Sequence, residues 1–378
     1  MPISTASLHA LVADIREALD AHDVSKLEAW SNDGLGRCFL GIAGFLEYAM
    51  KELSAFAKSR AQNDEVTIAL IHRLLLVVAT VIEDEDNCVH AAQLGMHFVL
   101  MKLMMHEHEL IQEGAAAVVV NCSSKKANTT GINTSFPFKT LPLEPPTRAW
   151  PLLQVLPVDN RDKDDQVVLI RAVKTRMTGQ PKTGYLLWGA AVILARWVHL
   201  NRQLFEGRSV LEVGSGLGLS GIVAAAYSQE TRLTDYQQDT LDALQYNVDL
   251  NCTKHEGSVI VEHLDWDNLD LNAPKVDIVM ASDIICEPST AEGFANVVRS
   301  RLKPDGVAFL VNATSHSRFG VVHLQTLLRE PPFVTTIVPV ETLPEGPAAL
   351  LETVWDKNEL KYEHYTIRLA PAPTGKES

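Results

Sequence analysis

Apolar positions recur every three or four residues through the first third of the chain and give way to short unbroken runs in the second half. Between Leu8 and Cys122 the residues Leu46, Met50, Leu53 and Ala57, then Ile68, Ile71, Leu75, Val78 and Ile82, mark one face of successive helices. No proline follows Pro2 in this stretch and alternation is nearly absent, so residues 1–122 are expected to be an all-helical domain. The segment from Asn87 to Ser123 divides into a short helix, a break at Gly95, a second helix, a polar turn and a longer helix. Residues 123–150 are rich in Ser, Thr, Asn and Pro without periodicity, which predicts a linker.

Residues 151–378 follow a different rhythm. Val155–Pro157 and Val167–Val173, separated by the polar run Asp159–Asp165, predict a β-hairpin. A helix (Trp188–Leu200) then precedes the strand Ser209–Val213, the helix Leu219–Tyr227, a strand ending at Asp235 and the helix Thr240–Leu250. Strands Val259–Leu264 and Val276–Ser282, the helix Ala291–Leu302, the strand Val307–Asn312 and a helix near Val321–Arg329 come next. Two late strands, Val334–Val340 and Tyr362–Leu369, close the pattern. Apolar strands alternating with helices predict an α/β fold, a mainly parallel sheet covered on both faces with an antiparallel pair at its edge.

A chain of 378 residues suits two domains, and 46% apolar residues are ample for two cores. The net charge of −14 disfavours attraction to nucleic-acid phosphates and favours a basic protein partner. The five cysteines (Cys38, Cys88, Cys122, Cys252, Cys286) are scattered with no CxxC pair, as expected for reduced thiols in a cytoplasmic or nuclear protein without a zinc site. Asp14, Glu17 and Asp20 near the start are unlike a signal peptide. The longest apolar stretch, Ile68–Ile82, is broken by His72 and Arg73 and falls short of the roughly 20 residues that span a bilayer, so no membrane segment is expected. His106 and His108, with Glu107 and Glu109, stand at a spacing that faces opposite sides of a helix and predict a solvated turn, with no metal. His316 and His323 follow the fifth strand, with no spacing that assigns them to a site.

The chemistry concentrates in VLEVGSGLGLSG, Val210–Gly221. A buried strand runs into Gly214, Gly216 and Gly218, which allow a sharp turn and close approach to a ligand, and Leu219 opens a helix with free N–H groups. That turn alone suits a dinucleotide equally, because Gly216, Gly218 and Gly221 satisfy GxGxxG. The acids bias the choice. Glu212 inside the strand end would repel a pyrophosphate and hold an ammonium. Asp235 at the end of the next strand suits a ribose, and Asp265 beside Trp266 suits adenine's exocyclic amine and ring. This set favours S-adenosylmethionine over a nicotinamide dinucleotide.

With TGYLLWGAAVILARW (Thr183–Trp197), LTDY, LDW and DIVMASDIICEPS (Asp277–Ser289) in the same order, the second half resembles methyltransferase family 16, the seven-β-strand protein lysine methyltransferases. The resemblance implies a Rossmann-like seven-stranded methyltransferase sheet over residues 151–378. It also implies S-adenosyl-L-methionine as cofactor and a protein substrate such as a translation factor, modified on lysine. It places Trp188, Gly214, Ser215, Gly216, Trp266 and a small residue at Ala281 or Ser282 around the cofactor. It makes Asp283 the catalytic aspartate of an aspartate-x-x-tyrosine signature in which Cys286 stands at the tyrosine position. A small buried filler is the expectation for Cys286, ahead of a catalytic thiol. The missing hydroxyl leaves open a catalytically impaired protein that recruits partners. The Gly95 break, Leu100, Leu103, Gln112–Ala116 and Asn121 resemble an armadillo repeat, implying a partner surface on the helical domain.

Overall fold

The computed structural model describes residues 3–58, 64–124, 153–157, 166–171, 184, 186–252, 258–314, 319–352, 354, 358 and 360–371. Contacts divide the chain into two compact units, residues 5–131 and residues 1–4 with 132–378. Expectations that fall on His316, on the Asp159–Asp165 turn or on residues 125–150 of the linker lie outside the described residues.

The first unit is helical: α1 (Thr5–Asp20), α2 (Val24–Ser31), α3 (Gly34–Ala43), α4 (Phe45–Lys58), α5 (Glu65–Val81), α6 (Glu85–Gln93), α7 (Met96–Leu103) and α8 (Glu109–Ser124). Part of the acidic excess has a local use here. Asp23, Asp33, Asp64 and Asp84 accept from the backbone N–H groups of Lys26, Gly36, Thr67 and Asn87 at the starts of α2, α3, α5 and α6. Each such cap stabilises by about 1 kcal/mol. The periodic residues Leu46, Leu53, Ile68, Ile71, Leu75, Val78 and Ile82 are buried, and the expected break falls at Gly95, whose φ is 76°. Asn87, fully buried, donates to Arg37 O (2.9 Å) and Val81 O (3.1 Å), and Asn121 donates to Ala79 O (2.9 Å), tying α6 and α8 to earlier helices. His106 and His108 lie in the turn between α7 and α8, and no metal-binding group of acids, His and Cys occurs among the described residues. No helix among the described residues is long and apolar enough to cross a membrane.

The second unit opens with a small antiparallel sheet, in which β1 (Ile3–Ser4) and β2 (Leu153–Pro157) flank β3 (Gln166–Arg171). The hairpin expected from the sequence is β2 and β3; β1 is too short to give a periodic signal. Asn251 fastens β3 by accepting from Leu169 N–H (2.9 Å) and donating to Leu169 O (2.8 Å).

The main sheet follows in the expected alternation: α9 (Gly189–Leu200), β4 (Ser209–Val213), α10 (Leu219–Ala225), β5 (Glu230–Asp235), α11 (Gln238–Asn251), β6 (Ser258–His263), β7 (Val276–Ser282), α12 (Pro288–Arg301), β8 (Leu302–Thr314), α13 (Phe319–Leu327), β9 (Phe333–Pro339), α14 (Pro347–Leu351) and β10 (Lys361–Leu369). Its order is β6-β5-β4-β7-β8-β10-β9, parallel from β6 to β8, with β10 antiparallel to β8 and to β9. This seven-stranded sheet with a reversed end is the Rossmann-like methyltransferase architecture. β8 begins five residues earlier than its apolar run, at Leu302, because Lys303–Gly306 joins through a register shift opposite Val276 and Ile278. Separate cores cover the two faces, one built around Trp197, Val210 and Phe309 and the other around Leu211, Phe294 and Leu310. The carboxyl ends of β4, β5, β6 and β7 share one edge, where such sheets bind ligands.

Candidate functional site

The glycine turn is shaped by contacts that admit no side chain. Gly214, Gly216 and Gly218 have φ of 63°, 53° and 84°. A Cβ on Gly218 would lie 2.3 Å from Leu244 Cδ1, and one on Gly216 would lie 3.0 Å from Gly184 O. Ser215 braces the turn against β5, with its N–H donating to Thr234 O (2.8 Å) and its hydroxyl accepting from Thr234 N–H (3.0 Å).

Glu212 is 1% exposed and accepts from Ser220 Oγ at 2.5 Å, at the N-terminus of α10. Its Oε2 has no hydrogen-bond partner among the described residues, and a Cβ on Gly221 would lie 2.4 Å from it. Gly221 therefore lets the helix pack on the acid and says nothing about phosphate. Burial pushes the carboxyl up to about 7, against the lowering pull of Ser220. Between pH 4.5 and about 7 the folded protein holds a proton here that the unfolded chain has released, so stability falls as pH rises through that window. Glu212→Gln, which keeps the acceptor for Ser220, is expected to flatten that slope in denaturant titrations run from about pH 5 to about pH 7.5. An unchanged slope would place the coupled proton on another group.

Gly214, Asp235, Asp265 and Trp266, all expected from the sequence, line one cavity of about 300 Å³. Asp235 Oδ2 accepts from Gly216 N–H (3.1 Å), and Oδ1 accepts from Tyr236 N–H (2.8 Å) and Gln237 N–H (3.2 Å). Burial raises its pKa, and those N–H groups oppose the rise. Asp265 is held below the usual range, first by the Asn268 amide (2.7 Å) and then by Asp267 N–H (2.9 Å). Trp266 lies against α12, where a Cβ on Gly293 would sit 3.0 Å from its ring. Tyr236, Leu264, Asp267, Ser289, Thr290 and Gly293 also line the cavity and were not expected as site residues from the sequence. Gly293 had a signal, since a glycine inside a helix costs about 1 kcal/mol and marks a close approach. Trp188, half-buried at the N-cap of α9, is not on this wall, nor are Glu212, Ser215, Gly216, Gly218, the buried Ala281 and the half-buried Ser282.

Beyond β7 the chain turns at Asp283, a non-glycine residue with φ of 56°. Its N–H donates to Val311 O (2.9 Å) and its Oδ1 accepts from Ala313 N–H (3.2 Å), so the carboxylate is anchored to the end of β8. Cys286 corrects an expectation, because it is exposed. Its N–H and that of Glu287 donate to Thr290 Oγ1 (3.1 and 3.2 Å), an arrangement that opens α12 and leaves the thiol outside the core. His323, on α13, pairs with Glu292 at 3.0 Å and is not on the cavity wall.

Fold and site together define a methyltransferase-type sheet carrying a glycine turn and an acidic, indole-walled cavity. Residues 171–325 match the family model described as lysine methyltransferase, a stretch that holds the turn, the cavity and Asp283. Methyltransferase-like protein 22 from Mus musculus is 40% identical over 113 residues, covering 28% of this chain and 29% of that protein. Histone-arginine methyltransferase METTL23 from Homo sapiens is 34% identical over 110 residues, covering 28% and 57% respectively. Protein-lysine N-methyltransferase EEF2KMT from Homo sapiens is 30% identical over 163 residues, covering 39% and 47%. The chain thus spans between 29% and 57% of the length of these relatives. The family match lies wholly beyond the helical unit, whose resemblance to armadillo repeats it leaves unaddressed.

Proposed function

We propose that this protein transfers a methyl group from S-adenosylmethionine to a side-chain nitrogen of a protein substrate, with lysine the favoured acceptor. The observation that carries this reading is the cavity's chemistry: Asp235, Asp265 and Asp267 line it beside Trp266, and no Lys or Arg lines it among the described residues. Such a wall repels a pyrophosphate and suits a cationic adenosine derivative. Asp235 would accept from the ribose hydroxyls, Asp265 from the adenine amine, and Trp266 would cover the ring. Bound there, the cofactor supplies an activated methyl group on a sulfonium.

The chain's own task is then alignment of a neutral amine. A lysine ammonium has a pKa near 10.4 and must lose its proton before attack. Asp283, fixed on β8, orients the amine and stabilises the positive charge that develops on nitrogen. The helical domain, which begins at Thr5 after β1, serves as the docking surface for the protein substrate in an armadillo-like manner. Exposed Phe98, Met101 and Met105 suit that use.

Exposed Cys286 at the tyrosine position supports a second reading, a protein that keeps the cofactor site and binds partners without turnover. Calorimetry and labelling separate the two. S-adenosylmethionine is expected to bind while NAD gives no heat, and labelled donor is expected to mark a protein band in an extract of the native source. Binding without any labelled band would favour the scaffold, and NAD binding without response to S-adenosylmethionine would sink both readings.

A further inference from the structure

Asn312 is the one polar residue in the apolar run Phe309–Ala313 of β8, and it is 1% exposed. Its carboxamide reaches across to the loop after β7. Oδ1 accepts from Ile285 N–H (3.0 Å), while Nδ2 donates to Ile285 O (3.3 Å) and Ala313 O (2.9 Å). Its neighbours hold Asp283, since Val311 O accepts from Asp283 N–H and Ala313 N–H donates to the Asp283 carboxylate. Three successive residues of β8 therefore grip residues 283 and 285. A left-handed non-glycine residue persists only where its surroundings over-determine it, and Asp283 sits at φ 56°. Ile285 is fully buried, so its N–H and carbonyl could not turn to water if the carboxamide were lost.

We propose that Asn312 is a positioning residue for methyl transfer, clamping Ile285 so that the loop presents the Asp283 carboxylate to the reacting amine. The proposal rests on the role given to Asp283 above. A sidechain that only filled the core would act on stability alike whether or not residue 283 is an acid. One acting through Asp283 would matter for rate only while that acid is present.

The test uses the full chain with Asn312→Ala and Asn312→Asp, each alone and combined with Asp283→Asn. Asn312→Asp keeps the volume and the acceptor for Ile285 N–H but loses the donor, and it carries the test if the alanine variant does not fold. Single-turnover labelling at saturating donor is expected to slow by about 30-fold for Asn312→Ala, because misplacement of about an ångström costs up to 100-fold. S-adenosylmethionine affinity is expected to stay within about twofold of wild type. In the Asp283→Asn background the same change is expected to cost less than about threefold, the non-additivity of residues acting as one unit. Ile285 amide exchange and Cys286 thiol labelling are expected to quicken in both variants. Equal rate losses in both backgrounds, or none in either, would overturn the proposal. If Asp283→Asn alone keeps the full rate, the reading of Asp283 fails and this one with it. If that variant is slow while both Asn312 variants are fast, only the role of Asn312 falls.

Discussion

Asp283→Asn is expected to slow methyl transfer by about 1,000-fold while folding and S-adenosylmethionine affinity stay near wild type, in the range that loss of a positioned proton acceptor or charge stabiliser produces. Asparagine is chosen for the backbone. After glycine it is among the residues that best tolerate the left-handed region, so φ of 56° is kept. Its amide oxygen can still accept from Ala313 N–H, the contact made by Oδ1. What disappears is the negative charge, together with its ability to draw an ammonium proton and to stabilise charge growing on nitrogen. Alanine would confound the result by adding strain at a positive φ. The measurement pairs single-turnover labelling with thermal unfolding and calorimetry. A wild-type rate in a folded, cofactor-binding variant would remove Asp283 from the mechanism.

Trp266→Leu is expected to weaken S-adenosylmethionine binding by about 10- to 100-fold, since a base stacked on an aromatic ring is worth about 1–3 kcal/mol. Leucine keeps an apolar side chain against Gly293 and its core neighbours, which alanine would leave exposed to a void. The loss should appear in calorimetry as a weaker association with the fold intact. Unchanged affinity would mean that the adenine ring does not lie against Trp266.

Much of the second unit is written locally and could be read so. Ser209–Val213 is strand at both ends as expected, because a buried apolar run meets a glycine that must turn. The acids at Asp235 and Asp265 are found by their place after strands, and the structure brings both to one cavity with Gly214 and Trp266. What escaped the sequence depends on partners far along the chain. Asn312 meets Ile285 27 residues away, and only an amide alone in an apolar strand hints at it. Thr290 shapes the loop through its hydroxyl, and nothing in its neighbours' pattern marks a threonine with that task. Cys286 was expected inside because small thiols favour cores, but the helix start at Pro288 and its capping box govern that turn. The last strand pairs antiparallel with β9 as expected, but its place beside β8 was invisible to periodicity, which fixes faces and leaves neighbours open.

The two residues of β1 change how the chain's architecture is to be cut. Because Ile3–Ser4 and Leu153–Pro157 both pair with Gln166–Arg171, the polypeptide leaves the small sheet at Ser4 and returns to it at Leu153. The helical unit precedes the main sheet, as expected, but in sequence it stands between two strands of the small sheet. Both strands run antiparallel to β3 and so parallel to each other, with Ser4 opposite Gln166 and Leu153 opposite Arg171, so a join between them must cross β3 and needs about a dozen residues. Excision of the helices with the ends rejoined keeps the sheet whole, whereas simple truncation from the front strips its outer strand.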